Sequence, residues 1–121
     1  MPWLLRDGEV LASAEVAESA RARLRGLLGR DGVEGVLVLR PAKAVHTFRL
    51  RFPIDVAFCD RDMTVLRTLT MARNRLGVPV WRSHCVIEAE AGSFERWRLA
   101  IGDTLEIEGE HREQPESEPE S

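Results

Sequence analysis

The pattern of hydrophobic and polar positions along the chain predicts a series of short β-strands. Two apolar runs within residues 3–13 flank Asp7-Gly8, a dipeptide that readily adopts the positive φ values of a type I′ turn, so this segment is predicted to form a hairpin. Further strand-like runs follow at residues 35–39, 44–48, 54–60, 63–71, 84–91 and 104–108. A turn at residues 60–62 would make residues 54–71 a second antiparallel hairpin, and residues 72–83 are predicted to form a loop.

One segment has helical rather than alternating periodicity. Between residues 18 and 29 the apolar residues recur at helical spacing, and Ser19 is a suitable N-cap. Gly26 lies inside this predicted helix, where glycine costs about 1 kcal/mol relative to alanine. We interpret it as a point of close packing against a strand. A short turn of helix is predicted at residues 93–97.

Many short strands and one amphipathic helix predict an α+β domain. We expect a curved, barrel-like and mainly antiparallel sheet with the helix covering one opening, because that arrangement buries the apolar faces of both. Residues 1–109 are predicted to form a single globular domain. Residues 110–121 contain Glu, Pro and Ser without aromatic residues, and we expect this acidic tail to be disordered.

The distribution of charge bears on the class of partner. The net charge is −3, but residues 110–121 alone hold five glutamates and one arginine. Residues 1–109 hold 16 basic and 15 acidic groups, so the predicted domain is nearly neutral. Nucleic-acid binding is usually accompanied by a strong basic patch. We therefore expect no nucleic-acid partner.

The lengths of the apolar runs bear on location. A membrane helix needs about 20 apolar residues, and runs such as residues 35–39 are far shorter. No basic region followed by a long apolar stretch is visible at the N-terminus, so we expect a cytoplasmic protein without a membrane partner. Cys59 and Cys85 do not form a C-x-x-C pair and are interpreted as buried free thiols, with a disulfide between them as the alternative.

The segment VHTFRLRFPIDVAFCD, residues 45–60, places charged residues inside an apolar, strand-like run. Strand alternation puts Ile54, Val56 and Phe58 on one face, which should be core, and Asp55 on the other with small residues that leave room. Asp55 is a candidate ligand-binding residue or metal ligand. The alternative, which we favour, is a structural carboxylate that accepts backbone N–H bonds or pairs with Arg49 or Arg51, since buried carboxylates must be paired.

His46 and Glu88 are further candidates. His46 is either a base or ligand-binding group or, as is commoner for a histidine beside phenylalanine, a packed residue. Glu88 points from its strand toward either solvent or a polar cavity. A zinc set of His46, Asp55, His84 and Cys85 is only formally possible, because the adjacent residues His84 and Cys85 point to opposite faces of a strand.

Four segments together resemble the DUF192 family, a domain of unknown function. These are RLRGLLGR, VHTFRLRFPIDVAFCD, VIEAEAG and IGD, in family order over about residues 17–107. The resemblance implies a small α+β domain built on a barrel-like sheet, and it implies no activity. The positions that match the family pattern are Gly26, Leu27, Pro53, Asp55, Glu88, Gly92, Gly102 and Asp103.

The chain departs from the family pattern in its middle motif. His46-Thr47 and Arg49-Leu50 stand where the family usually has a tryptophan-methionine pair and an asparagine-threonine pair, which is typical of a His-Thr-Phe subgroup. No role that rests on the asparagine-threonine pair is therefore transferred to this chain.

Three functions remain open at this point. The first is a non-catalytic binding module that takes a small polar ligand or a partner segment, with His46, Arg49, Arg51, Asp55 and Glu88 as its walls. The second is an enzyme of undefined reaction with His46 as base and Asp55 as its orienter. The third is a structural interaction protein. No P-loop, dinucleotide fingerprint or nucleophile elbow occurs in the sequence, and neither a cofactor nor a metal is predicted.

Overall fold

The computed structural model describes residues 2–109, which form seven strands and two short helices. In chain order these are β1 (Trp3–Arg6), β2 (Glu9–Ala17), α1 (Ala20–Arg25), β3 (Val36–Leu39), β4 (Ile54–Cys59), β5 (Val65–Met71), β6 (Cys85–Glu90), α2 (Ser93–Trp97) and β7 (Leu105–Glu108). The predicted tail, residues 110–121, lies outside the described residues.

The strands form one mixed sheet in the order β5-β4-β6-β3-β2-β1-β7. Only the β2–β3 pair is parallel within the described chain, and every other neighbouring pair is antiparallel. The sheet is not closed into a barrel. Its two edge strands, β5 and β7, are connected at one corner, by an isolated bridge between Thr64 and Thr104. The predicted α+β class with a mainly antiparallel sheet is confirmed, and "barrel-like" describes the curved, open sheet only loosely.

The β1–β2 hairpin forms where the sequence predicts it. Asp7 and Gly8 have φ values of 53° and 80°, as a type I′ turn requires. The β4–β5 hairpin is confirmed as well. At its turn Asp60 Oδ1 accepts hydrogen bonds from the backbone N–H groups of Asp62 and Thr64.

The first helix is shorter than predicted. It covers Ala20–Arg25, and Ser19 caps it by accepting a hydrogen bond from Ala22 N at 3.0 Å. Gly26 ends the helix at φ 47° and ψ −124°, so its interpretation as an interior helical residue is wrong. Beyond it Leu27 is buried, while Leu24, which the helical periodicity placed inside, is 76% exposed.

Residues 44–48 are not a strand, contrary to the sequence prediction. Their backbone makes one isolated bridge, His46 with Leu76, and hydrogen bonds to the loop at residues 72–83. Thr47 N donates to the carbonyl oxygen of Arg75, and Val45 O accepts from Gly77 N. The alternating pattern here reflects a segment packed between the core and a loop.

The core has two layers, one on each face of the sheet. Ile54, Val56 and Phe58 lie in the layer that also contains Leu27 and residues of the segment 42–52, as predicted. The other face of β4 carries Ala57 and Cys59, which pack in the second layer against α2 and the ends of the curved sheet. That second face is filled, so the room expected beside Asp55 is absent. No helix within residues 2–109 has the length and apolar character to cross a membrane.

Candidate functional site

A small cavity of about 80 Å³ lies on the face of the sheet that Glu88 shares with Val56 and Leu37. We call it the Glu88 cavity. It is bounded by α1 and the segment after it, by β3 and β6, and by the segment at residues 42–50. Its lining residues are Arg23, Leu24, Arg25, Gly26, Leu27, Leu28, Leu39, Ala42, Ala44, Val45, His46, Phe48, Leu50, Val86 and Glu88.

Glu88 lines this cavity with a carboxyl group that has no hydrogen-bond partner among the described residues. The residue is 5% exposed, and no donor among residues 2–109 hydrogen-bonds its side chain. Burial raises the pKa of this carboxyl from 4.5 to about 7, and the charge of Arg30 partly opposes the shift. Since buried polar groups in native proteins are normally hydrogen-bonded, this carboxyl is an exception that calls for an explanation.

The chain approaches Glu88 closely at Gly26. A Cβ placed on Gly26 would lie 4.0 Å from Glu88 Oε1, so the turn after α1 forms the wall that faces the carboxyl. The conformation of Gly26 is one that L-residues with a side chain rarely adopt. It directs the chain from the exposed helix into the core at Leu27.

His46 lies at the rim of the cavity. The residue is exposed, and its ring stacks on Phe48 with centroids 5.2 Å apart. Nδ1 of His46 accepts a hydrogen bond from Phe48 N at 3.3 Å.

Thr47 anchors this rim from beneath. It is fully buried, and its hydroxyl donates to Ala72 O at 2.6 Å and accepts from Arg75 N at 2.8 Å. The loop at residues 72–83 therefore supports the wall of the cavity.

Asp55 lies on the opposite face of the sheet. It is 3% exposed, and its carboxylate accepts hydrogen bonds from Thr70 Oγ1 at 2.7 Å and from the backbone N–H groups of Gly92 and Phe94, each at 3.0 Å. Asp55 thus has the partners of a structural carboxylate, the alternative that we favoured from the sequence. Its partners are backbone N–H groups and a hydroxyl rather than an arginine. The contacts join β4, β5 and the start of α2.

The two arginines predicted as site residues do not line the cavity in the described chain. Arg51 pairs with Asp31 at 2.5 Å on the surface. Arg49 has a φ of 66°, and its backbone N–H donates to Asn74 Oδ1 at 3.0 Å. Of the five predicted residues, the structure thus brings only His46 and Glu88 together.

The remaining candidates for metal or thiol chemistry are dispersed or buried. No group of three or more His, Cys, Asp or Glu side chains in the described part of the chain is placed to hold a metal. Cys59 and Cys85 are free and buried, and they are directly opposite each other on β4 and β6. Burial raises the pKa of the Cys85 thiol to about 12 and that of Cys59 further, so both stay protonated and unreactive near neutral pH.

Sequence reasoning missed the importance of two residues. Thr47 was part of a recognised motif but was not assigned a contact. Gly26 was noticed for its helical cost, yet the useful signal was its position just before the apolar pair Leu27-Leu28, where a glycine with positive φ ends the helix and brings the chain into the core.

Comparisons with known proteins identify the family of this chain. The sequence model of the DUF192 family, described as Uncharacterized ACR, COG1430, matches residues 4–107. A UPF0127 protein of Pyrococcus abyssi is 27% identical over 97 residues, which cover 76% of this chain and 83% of that protein. The His-Thr-Phe subgroup stays a prediction.

Two crystal structures share the fold. A protein of unknown function from Novosphingobium aromaticivorans superposes with a TM-score of 0.73 at 18% identity, covering 87% of this chain and 82% of the other. A protein from Sinorhizobium meliloti described as a "putative transcription regulator" gives a TM-score of 0.74 at 19% identity, covering 88% and 91%. At such identities the likeness concerns the fold alone. Since the family model spans nearly all of the described residues, the chain belongs to the DUF192 family.

Proposed function

We propose that this protein is a non-catalytic binding module that takes a small polar ligand into the Glu88 cavity. The observation that carries the proposal is the buried carboxyl of Glu88, which faces an open space and has no protein donor within residues 2–109. Leaving a buried polar group unsatisfied costs about 1–3 kcal/mol. A ligand that donates hydrogen bonds to Glu88 would remove that cost, and this would make binding more favourable.

The rest of the cavity supports a binding role. Its walls are mostly aliphatic, with Leu27, Leu39 and Val86 among them, and an apolar lining with few polar groups is typical of ligand sites. Leu24 and Phe48 are 76% and 44% exposed beside the opening. They offer apolar surface to the part of a ligand, or of a partner segment, that stays outside. His46 would contact the ligand at the rim.

The alternative with His46 as base and Asp55 as its orienter has less support. The two side chains lie on opposite faces of the sheet, and no hydrogen bond joins them among the described residues. Each already has other partners: Phe48 N for His46, and Thr70, Gly92 and Phe94 for Asp55. We assign Asp55 to the fold.

The description of the S. meliloti neighbour as a transcription regulator is not extended to this chain. Residues 1–109 are nearly neutral overall, whereas nucleic-acid affinity depends on neutralising phosphates with Lys and Arg. The absence of a nucleic-acid partner and the cytoplasmic location both stay predictions.

The proposal is tested by titrating the ¹⁵N-labelled full chain with panels of amines, amino acids, sugars, nucleotides and metals, with thermal shift as a second readout. We expect saturable NMR shifts at Gly26, Leu27 and Val86 with at least one organic class. Ala44→Leu, which narrows the cavity opening, should weaken binding, while Ala100→Leu on a distant exposed turn should not. No saturable shift at the cavity with any class would overturn the proposal.

A further inference from the structure

We propose that the group recognised by the Glu88 cavity is a primary ammonium carried on a short alkyl stem. The inference rests on the proposed function and deepens it, since it names the chemical class of the ligand. Three observations support this inference. They are the negative charge of the ionised Glu88 carboxyl, the size of the cavity, and the positions of the other charged groups around it.

The first observation is that Glu88, once ionised, offers the cavity only hydrogen-bond acceptors and a negative charge. An ionised carboxylate accepts hydrogen bonds at two oxygens, and a neighbouring opposite charge favours that form. An ammonium supplies three donors and a compensating charge on a single atom. An alcohol or amide supplies donors but no positive charge, and therefore does not offset the free-energy cost of burying the carboxylate charge.

The second observation is the size of the cavity. A volume of about 80 Å³ equals the share of roughly two or three liquid waters at ~30 Å³ each. This admits a compact NH₃⁺ with one or two methylenes. The stem would lie against Leu27, Val45 and Val86, which give it apolar contact.

The third observation concerns the other charged groups that face this region. Arg30 pairs with Glu15 at 3.1 Å, and the guanidinium of Arg23 donates to the carbonyl oxygen of Glu18. Arg25 lines the opening and is exposed, as is His46. Solvent screens the exposed Arg25 and His46, and the charge of the half-buried Arg30 is partly neutralised by Glu15. Glu88 acts from the low-dielectric interior, so its attraction for an ammonium dominates inside the cavity.

The pH dependence of binding follows from the buried carboxyl. Because the pKa of free Glu88 is raised to about 7 by burial, binding an ammonium below that pH must displace a proton. Affinity is therefore expected to fall about tenfold per pH unit below pH 7 and to level off above it.

The test is an NMR titration of the full chain at pH 7.5 with n-butylamine, n-butanol and tetramethylammonium. Butylammonium should give saturable shifts at Gly26, Leu27 and Val86 and bind at least tenfold more tightly than the other two. Glu88→Gln should weaken it at least tenfold and abolish its pH dependence. Glu90→Gln, on an exposed residue of the same strand, should change neither. Nα-acetyl-lysine amide in a parallel titration separates a peptide-borne lysine from a free alkylamine.

The outcomes separate the two proposals. Equal binding of butanol and butylammonium, or unchanged amine affinity in Glu88→Gln, would overturn the ammonium inference while leaving a polar-ligand cavity in place. Binding of acetyl-lysine amide but not of butylamine would support the ammonium head group and assign its source to a protein partner. Silence of all four compounds at the cavity would overturn the ammonium inference, and the wider panel would then decide the proposed function.

Discussion

Gly26 and Glu88 approach each other closely in the lining of the cavity: a Cβ on Gly26 would lie 4.0 Å from Glu88 Oε1 and 3.7 Å from the carbonyl oxygen of Arg23. Both distances are ordinary contacts, so space alone would allow alanine there. The backbone would not, because φ is 47° with ψ at −124°. The turn after α1 therefore depends on glycine for its conformation rather than for its volume.

Gly26→Ala is expected to lower the free energy of unfolding by about 1–3 kcal/mol, the usual cost of holding a non-glycine residue in such a conformation. Urea denaturation measures this. Gly32→Ala is the matched control, because Gly32 has open space around it and no positive φ, and it should change stability by less than about 1 kcal/mol. Equal effects of the two substitutions would contradict the role given to Gly26.

Glu88 predicts a specific pH dependence of stability. The pKa of this carboxyl is ordinarily 4.5 and is about 7 in the folded protein, so between these values the folded state holds a proton that the unfolded state has released. The contribution of Glu88 to the free energy of unfolding is therefore largest below about pH 4.5 and is lost as the pH rises toward 7. Over the whole window the loss is of order 3 kcal/mol.

The measurement is urea denaturation of wild type and Glu88→Gln from pH 4 to pH 8. The two proteins should be similarly stable at pH 4, and the variant should become the more stable one above pH 7, because glutamine has no charge to bury. Glu90→Gln should follow the wild-type profile. A constant difference between wild type and Glu88→Gln across the range would show that Glu88 is not the titrating group.

Asp55 predicts a graded response to substitution. Asp55→Ala leaves two backbone N–H groups and the Thr70 hydroxyl without their acceptor, and should destabilise by roughly 3 kcal/mol or more. Asp55→Asn should cost less, because its amide oxygen still accepts from Gly92 and Phe94. Thermal and urea unfolding measure the order of stability, which should be wild type, then Asp55→Asn, then Asp55→Ala.

Asp62→Asn is the control for the Asp55 series, since Asp62 is an exposed turn residue, and it should stay within about 0.5 kcal/mol of wild type. Folded Asp55→Asn should also bind ligands at the Glu88 cavity like wild type. A selective loss of binding without loss of stability would instead assign Asp55 to the site.

Thr47→Val tests the anchor beneath His46. Valine has the shape of threonine but can neither donate to Ala72 O nor accept from Arg75 N, so the expected loss is about 1–3 kcal/mol. Hydrogen exchange should also become faster at the amide of Arg75, which donates to the Thr47 hydroxyl, and at that of Gly77, which donates to Val45 O. Thr104→Val, at an exposed position, should change neither quantity. Unaltered exchange in Thr47→Val would remove Thr47 as the anchor.

The sequence predicted those elements whose cause is local. β3 and β4 follow from short apolar runs, and the first turn follows from the backbone preferences of Asp7-Gly8. The length of α1 was mispredicted because helical periodicity continues through Gly26, while the φ value that ends the helix has no counterpart in the pattern. Residues 44–48 alternate like a strand although a loop, not a strand, binds them.

The candidate site was only partly predictable for a similar reason. Strand alternation placed Asp55 and Val56 on opposite faces correctly. Which face was filled depended on α2 and the curvature of the sheet, which alternation does not encode. The partners of Asp55 at Gly92 and Phe94 come from 37 and 39 residues away. The isolation of Glu88 is likewise a property of the assembled walls.

The pairing of β1 with β7 bears on the order in which the fold can form. Trp3 lies opposite Glu108 and Leu4 opposite Ile107, so a strand at the start of the chain has its outer neighbour about a hundred residues later. Until residues 105–108 are synthesised, the outer edge of β1 is an unpaired strand edge, the kind of surface that promotes aggregation. Closing so large a loop is also slow. We therefore expect nascent chains that lack β7 to depend on chaperones, although every residue of the Glu88 cavity has by then been made.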